Sequence, residues 1–407
     1  MKNFSEITET QTTAAPKRRV SNVVSLTASA LAFAAIVWII VPAPSAYVWL
    51  WSVAASEWSF IFGALAVFGI AVAFLFGRGK IKIASVFLGT AALAISLYPF
   101  FSALRAAREQ GVELSAKQYL FGFRSVEKES LRNTFTFATI DGRALELDVY
   151  SPPESVSKNG AGIVVVHGGA WNAGERSDFP QWNRWLARQG YTVFDIDYRL
   201  APQPNFPAAT GDVKCAVVWV KQNARQFNIS PDKIVLLGRS AGAHLALLAA
   251  YSANDARLRS SCADENAAVN ESVRAVVSFY APTDLLWSYD NPANQSVIDG
   301  PKTLSNFLGG NPHEAEETRE RFLLASPTER VGAQTPPTLL IHGGQDQLVR
   351  SENLYFLDEK LKQENVPHKT VFISYAQHGF DYNFNGWGAQ IVEPVLLDFL
   401  RERVLSE

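Results

Sequence analysis

A G-x-S-x-G pentapeptide, Gly238 to Gly242, stands at the centre of residues 234–250, which read Ile-Val-Leu-Leu-Gly-Arg-Ser-Ala-Gly-Ala-His-Leu-Ala-Leu-Leu-Ala-Ala. The apolar run before the pentapeptide predicts a strand, and the alanine- and leucine-rich run after it predicts a helix. A serine at such a sharp turn is held in strained backbone geometry, with its hydroxyl exposed beside the helix N-terminus. Since that helix end favours negative charge, the stretch predicts a nucleophile, Ser240, at the edge of a sheet.

Around this turn the chain alternates β-rich runs with helical stretches from about Thr134 onward, a pattern typical of a doubly wound, mostly parallel α/β sheet. We predict strands at residues 134–140, 145–150, 162–166, 192–198, 233–237, 273–279, 338–341 and 370–374. We predict helices at residues 183–189, 208–227, 241–252, 352–364 and 388–404. The rhythm breaks at the polar residues 283–330, which we expect to form a small cap.

Charge and hydropathy divide the 407 residues into a membrane part and a soluble part. With 37 Lys and Arg against 39 Asp and Glu, the chain lacks the basic excess that draws proteins to nucleic acid, so we expect no nucleic-acid partner. The predicted organisation is a tail at residues 1–22, a membrane domain at 23–104, a linker at 105–133 and an α/β domain at 134–407.

Three uncharged apolar runs, at about residues 23–41, 60–76 and 83–104, each approach the ~20 residues that cross a bilayer. Aromatic residues cluster after the first run, as expected at headgroup level: Tyr47, Trp49, Trp51 and Trp58. We therefore predict three transmembrane helices, with the lipid bilayer as a partner of the chain.

Basic residues predict the orientation of these helices, because Lys and Arg favour the cytoplasmic side. They lie before the first run and between the second and third: Lys2, Lys17, Arg18, Arg19, Arg78, Lys80 and Lys82. A cytoplasmic N-terminus and three crossings place the α/β domain outside the cytoplasm, on a plasma or inner membrane. A cleaved signal peptide ending near Ser45-Ala46 would give the same side, whereas two or four crossings would return the domain to the cytoplasm.

Two cysteines, Cys215 and Cys262, are the only ones in the chain. An even pair in an extracytoplasmic domain permits a disulfide. Two separate thiols are the alternative, because spacing alone does not show whether the Cα atoms come close enough to be bridged.

A serine nucleophile needs a base, and the base needs an acid that orients it. His378 follows the last predicted strand beside Gly379, and Asp346 follows the preceding strand. The order Ser240, Asp346, His378 is the one expected when neighbouring strand ends present nucleophile, acid and base. The other histidines considered as the base are His244, His313, His342 and His368. Asp284, after the strand that ends at Phe279, is the rival acid.

His167-Gly168-Gly169-Ala170-Trp171 follows the strand at residues 162–166 and supplies candidate donors for an oxyanion. Its glycines let backbone N–H groups face a ligand that a side chain would obstruct. We expect the amides of Gly169, Ala170 and Ala241 to form the oxyanion hole, and Trp171 to line the substrate pocket or to pack beneath it.

These motifs together resemble those of the α/β-hydrolase esterases and lipases, over about residues 135–404: His167-Gly-Gly-Ala-Trp171, Gly238-Arg-Ser-Ala-Gly242, Gly343-Gly-Gln-Asp346 and Gln377-His-Gly-Phe380. Residues 197–202 with 206–209 resemble the hormone-sensitive-lipase-like and the feruloyl and acetyl-xylan esterase-like branches, in which this segment is structural. The H-G-G-x-W form is also similar to kynurenine formamidases. Two departures leave the substrate open: Ala170 replaces a third glycine, and Arg239 replaces a frequent acidic residue.

The sequence predicts a membrane-anchored serine carboxylesterase that acts on a small-molecule ester, with short or aryl acyl groups favoured over long ones. An amidase or formamidase of the same fold is the alternative enzyme, and a receptor or scaffold that retains the fold is the alternative without catalysis. We expect no cofactor and no metal, since the sequence has no H-E-x-x-H motif or similar ligand cluster. The sequence leaves the oligomeric state open.

Overall fold

The computed structural model describes residues 14–122, 132–200, 204–253, 255–262 and 270–406. Parts of the predicted tail and linker, at residues 1–13 and 123–131, lie outside this description, as do Ala201 and Pro202 of the quoted motif. Within it, eight strands form one sheet: β1 Arg132–Ile140, β2 Arg143–Tyr150, β3 Gly162–Val166, β4 Thr192–Ile196, β5 Ile234–Arg239, β6 Ala275–Phe279, β7 Thr338–Gly343 and β8 His368–Ile373.

The strand order is β1-β2-β4-β3-β5-β6-β7-β8. Strands β1, β2 and β4 pair antiparallel, and every pair from β4 to β8 is parallel. The predicted mostly parallel α/β fold is therefore confirmed. In such a sheet the residues that follow the carboxyl ends of the parallel strands share one edge, where open α/β folds build their sites.

Alternation along the central strands divides the core into two layers. Val164 and Val166 of β3 belong to one buried cluster, and Ile163 and Val165 belong to the other. Because β3 is covered on both faces, it is a continuous apolar run rather than an alternating one.

Helices cover both faces: α6 Pro180–Arg188, α7 Ala208–Gln222, α8 Ala224–Phe227, α9 Ala241–Tyr251, α13 Glu352–Gln363 and α14 Trp387–Leu400. The helix predicted at residues 208–227 is divided at Asn223, and the one predicted to end at Val404 changes to a π-helical turn, Arg401–Leu405. The predicted cap region holds three short helices: α10 Leu285–Asp290, α11 Gly300–Leu308 and α12 Glu316–Ala325.

In the part of the chain that the structure describes, five α-helices precede the sheet: α1 Ala14–Ile36, α2 Ala46–Glu57, α3 Ser59–Phe76, α4 Gly79–Gln110 and α5 Ala116–Phe121. Among the described residues, three stretches are long and apolar enough to cross a membrane: Arg19–Ile39, Ser59–Phe76 and Gly79–Gln110. Small residues let these helices approach closely, as is usual in membranes. A Cβ at Gly69 would lie 2.4 Å from Oγ of Ser29, and one at Gly89 would lie 2.6 Å from the Ile70 side chain.

The end of the third apolar run differs from the expectation. We expected a span over residues 83–104 and then a linker, but α4 continues unbroken to Gln110. Ala103, Ala106 and Ala107 are buried in the same cluster as β3 and α14. Since these small side chains fit a tightly packed core as well as a lipid environment, hydropathy alone does not separate the two surroundings.

The structure joins Cys215 of α7 to Cys262 through a disulfide, with the Cα atoms 5.3 Å apart. That separation lies within the usual range for a bridged pair.

Candidate active site

Ser240 occupies the turn between β5 and α9 with φ 55° and ψ −123°, a strained conformation for a residue with a side chain. The turn requires glycine at Gly238 and Gly242, because neighbouring backbone atoms leave no room for a side chain at either position. A Cβ at Gly238 would lie 2.3 Å from the carbonyl oxygen of Gly242, and one at Gly242 would lie 2.2 Å from the carbonyl oxygens of Val166 and His167. The turn is therefore packed directly onto the end of β3.

His378 and Asp346 meet at the same edge of the sheet. Nδ1 of His378 lies 2.7 Å from Oδ2 of Asp346, and Oδ1 of Asp346 accepts from the backbone N–H groups of Leu348 and Val349 at 2.8 and 2.9 Å. Burial on its own raises the pKa of Asp346, but the charge of His378 and hydrogen bonds from His342 and His378 outweigh it. The pKa of Asp346 therefore lies below its usual range, and the carboxylate stays ionised.

Two of the alternatives have other surroundings. Asp284 caps α10, accepting from the backbone N–H of Trp287 at 2.9 Å. His342 is buried behind Asp346, where its Nε2 lies 3.4 Å from Oδ2 of that carboxylate and 3.0 Å from the carbonyl oxygen of Val349. Two more of the candidate histidines lie in other contacts, His313 with Asp290 and His368 with Asp358.

Ser240 and His378 line one cavity of about 410 Å³. The cap contributes much of its wall, chiefly through Pro292, Ala293, Ile298 and Leu304. The cavity can therefore hold an acyl group of modest size beside the serine hydroxyl.

The loop after β3 lines the same cavity with Gly169, Ala170 and Trp171. All three have positive φ, at 108°, 50° and 59°, which turns the loop sharply. A Cβ at Gly169 would lie 2.0 Å from the carbonyl oxygen of Ala173, so this position requires glycine. Ala241 also lines the cavity and begins α9, where a backbone N–H has no partner within the helix. The three predicted oxyanion amides thus border one space.

Trp171 is buried and forms part of the cavity wall. Its ring stacks on Phe307 with centroids 4.5 Å apart, and its Nε1 donates to Nδ1 of His244 at 3.2 Å. Nε2 of His244 then donates to the carbonyl of Ala325 at 2.8 Å. Burial lowers the pKa of His244 to about 4, so this histidine is neutral and holds the indole in place.

The segment after β4, at residues 197–200, supports the loop after β3, at residues 167–171. Oη of Tyr198 donates to the carbonyl of His167 at 3.2 Å, and the two rings stack with centroids 4.3 Å apart. Arg199 pairs with Asp212 at 2.6 Å and also reaches Ser261. These contacts tie the loop to α7.

A buried ion pair that the sequence does not predict lies beside Ser240 and His378. Nε of Arg239 lies 2.7 Å from Oδ2 of Asp381, and Tyr280 donates to Oδ1 of the same carboxylate at 2.7 Å. The Arg239 guanidinium also lies 4.2 Å from the Phe179 ring centroid, and the Tyr280 ring lies 4.4 Å from that of His378. This network links the residue before Ser240 to the loop that carries His378.

The chain is similar to known proteins. The model of the BD-FAE family matches residues 147–361. Esterase LipC of Mycobacterium tuberculosis is 31% identical over 247 residues, which are 59% of this chain and 58% of that protein. LipM of the same organism, a probable carboxylic ester hydrolase, is 30% identical over 243 residues, 59% of this chain and 54% of that protein. The chain thus spans little more than half the length of these relatives.

The fold also matches solved structures. Esterase 2 of Thermogutta terrifontis, in a form phosphonylated by sarin, superposes with a TM-score of 0.56 at 24% identity, covering 69% of this chain and 98% of that one. At this level of identity the likeness shows the fold.

Proposed function

The chain belongs to the BD-FAE family, and from that premise we propose that it is a serine hydrolase that cleaves carboxylic esters through an acyl-enzyme at Ser240. One observation carries the proposal: Ser240, on its strained turn, shares a cavity with a histidine whose other face is held by an ionised, buried aspartate. The names of the curated relatives, an esterase and a carboxylic ester hydrolase, agree with this activity.

The reaction follows from the arrangement. Since Nδ1 of His378 is held by Asp346, Nε2 is the ring nitrogen that takes the proton of Ser240 as Oγ attacks the ester carbonyl. The amides of Gly169, Ala170 and Ala241 receive the oxyanion. His378 then gives its proton to the leaving alkoxide, which departs as an alcohol. Water, activated by the same histidine, releases the acid and restores the serine.

We also infer that the chain is an integral membrane protein with its hydrolase domain outside the cytoplasm. Three described helices are long and apolar enough to cross a membrane, and an odd number of crossings separates the basic N-terminal segment from the sheet. The disulfide between Cys215 and Cys262 supports the same side, since such bonds persist in oxidising compartments.

The proposed activity is tested with the full-length chain in detergent, using a 4-nitrophenyl butyrate ester and the matched 4-nitroanilide. We expect the ester to be cleaved faster than the amide. Ser240→Ala should lower kcat on the ester by about 10³-fold or more, because both the nucleophile and its acyl intermediate are lost. Unchanged turnover by this variant would exclude the mechanism, and faster cleavage of the anilide would assign the site to amides.

A further inference from the structure

The third candidate span continues past the membrane and lies along the edge strand of the sheet. Oη of Tyr98 in α4 donates to the carbonyl of Ser374, the residue after β8, at 3.0 Å. Further along the helix, Nε2 of Gln110 donates to the carbonyl of Thr370 at 3.1 Å. Because the helix numbers rise while the strand numbers fall, α4 runs antiparallel to β8.

This direction fixes which edge of the sheet faces the bilayer. The part of α4 before Tyr98, residues 79–97, is about 28 Å long at 1.5 Å per residue, close to the thickness of the hydrocarbon core. It extends beyond the carboxyl end of β8. Since Ser240, Asp346 and His378 all follow the carboxyl ends of strands, the bilayer lies on the catalytic side of the sheet.

Contacts at two further places join the membrane part to that side. Between the first span and α2, the backbone N–H of Ala43 donates to Oε1 of Gln347 at 2.7 Å, and Nδ2 of Asn294 donates to the carbonyl of Ala43 at 2.6 Å. At the end of α2, Oε2 of Glu57 accepts from Asn383 at 3.3 Å. The contacted residues follow the carboxyl ends of β7, β6 and β8.

The cavity lies beside these contacts. Pro292 and Ala293 of its wall directly precede Asn294, and Leu348 of its wall directly follows Gln347. Exposed aromatic side chains, of the kind that sit at headgroup level, project from α2, α5 and the loop after His378: Tyr47, Trp51, Phe121 and Tyr382. The walls of the cavity are thus held at the level of the membrane surface.

We propose that the substrate is an amphiphilic carboxylic ester that resides in the same bilayer as the enzyme and enters the cavity from the membrane surface without passing through water. The inference rests on the proposed serine esterase function and adds the substrate class. An acyl chain that moves from bilayer to cavity keeps its apolar surroundings, whereas a soluble ester must reach a mouth that faces lipid. His378 protonates the leaving alkoxide, and water completes the release of the acid, as in the reaction above.

The test uses the full-length chain in phospholipid vesicles and two esters with the same leaving group. One is a dialkylglycerol joined to resorufin through a dicarboxylic acid linker, whose two ether-linked chains keep it in the bilayer, and the other is water-soluble resorufin acetate. The lipid ester is placed either in the vesicles that contain the enzyme or in separate vesicles mixed with them. We expect at least a tenfold faster release of resorufin when ester and enzyme share a vesicle, at a rate that follows the mole fraction of ester in the bilayer.

Equal rates in shared and separate vesicles would overturn the proposal, as would hydrolysis of resorufin acetate with the lipid ester left intact. Failure of the underlying function has a different signature. In that case neither ester would be cleaved above the level of the Ser240→Ala protein in the same vesicles.

Discussion

Arg239 and Asp381 form a buried ion pair between the end of β5, next to Ser240, and the loop after His378. Both side chains are buried and have lost their hydration, so the stability of the pair depends on its short contact and on the hydrogen bond from Tyr280. Aromatic rings of Phe179 and Phe279 face the guanidinium at 4.2 and 4.7 Å. Arg239, which departs from the family pattern, thus has a structural partner in Asp381.

Removing one member of this pair is expected to cost more than removing both. Asp381→Leu leaves the Arg239 guanidinium buried without its carboxylate and should lower the free energy of unfolding by about 3–5 kcal/mol. The double variant Arg239→Met with Asp381→Leu should recover most of that loss. Urea unfolding of the detergent-solubilised protein measures both. A double variant no more stable than the single one would show that unpaired charge is not the cause.

Asp346 is expected to act on both catalysis and acid stability. Asp346→Asn should lower kcat by about 10⁴-fold near neutral pH, because the amide no longer selects the correct tautomer of His378 or stabilises the imidazolium. Since the pKa of Asp346 is below its usual range in the folded state, its stabilising effect is present at neutral pH and is lost as pH falls below about 4.

Unfolding measured between pH 7 and pH 3 separates this effect from that of the other carboxyl groups. The difference in free energy of unfolding between the native chain and Asp346→Asn should shrink as the pH falls. A difference that stays constant with pH would contradict an ionised carboxylate whose pKa is lowered by folding.

The contact between Asp346 and His378, beside a cavity that Ser240 also lines, could be predicted from the sequence because each residue lies in a short motif that follows a predicted strand. The pairing of Arg239 with Asp381 could not, since the two are 142 positions apart and no local pattern joins them. A basic residue between Leu237 and Ser240, in an otherwise apolar strand end, is the one signal that a buried partner was needed.

Among the elements, α2 connects the apolar N-terminal helices to the loop after His378. Its last residue, Glu57, is buried, accepts from Asn383 and hydrogen-bonds to Tyr375. Burial raises the pKa of Glu57 to about 8, so the carboxyl group is mostly protonated at neutral pH. A Cβ at Gly386 would lie 2.1 Å from Oε2 of Glu57, which shows how closely the helix end meets the loop.

Glu57→Gln is expected to stabilise the chain as the pH rises. The pKa of Glu57 is higher in the folded chain than in the unfolded one, so the native chain loses free energy of unfolding as the pH rises from about 4.5 to about 8. Glutamine keeps the hydrogen bonds and does not ionise. The variant should gain on the order of 3 kcal/mol relative to the native chain at pH 8, with no gain at pH 4. Unfolding at the two pH values measures the gain. If the native chain and Glu57→Gln were equally stable at both pH values, Glu57 would be ionised in the folded chain at pH 8.

The sequence predicts the ends of an element where local residues set them, and not where contacts with distant elements do. The strand predicted at residues 162–166 is the one observed, because its β-branched run ends at glycine on one side and at the His167 loop on the other. The predicted span ends at residue 104 and includes Ala103, which suits a lipid environment by hydropathy, whereas Ala106 and Ala107 fall in the predicted linker because they follow Arg105. Only the position of β8 and α14 beside the helix shows that these residues belong to the protein core.

At the scale of the whole molecule, the apolar N-terminal helices and the sheet share one continuous set of contacts. Tyr119 of α5 stacks on Trp387 of α14 at 4.1 Å, and Phe60 of α3 meets Tyr119 at 5.3 Å. Together with the polar contacts of Ala43, they hold the carboxyl edge of the sheet in a fixed position relative to these helices. A flexible linker would leave that position free.

The side of the membrane on which Ser240 lies is expected to be extracytoplasmic, because three crossings follow a basic N-terminal segment and the domain contains a disulfide. A charged fluorophosphonate that does not cross bilayers should therefore label Ser240 in cells whose inner membrane is intact. Ser240→Ala is the control for labelling at any other serine. Gel mobility with and without reductant reports the disulfide between Cys215 and Cys262 in the same samples. Labelling that appears only after the inner membrane is made permeable, in a chain with reduced cysteines, would place the domain in the cytoplasm and require an even number of crossings.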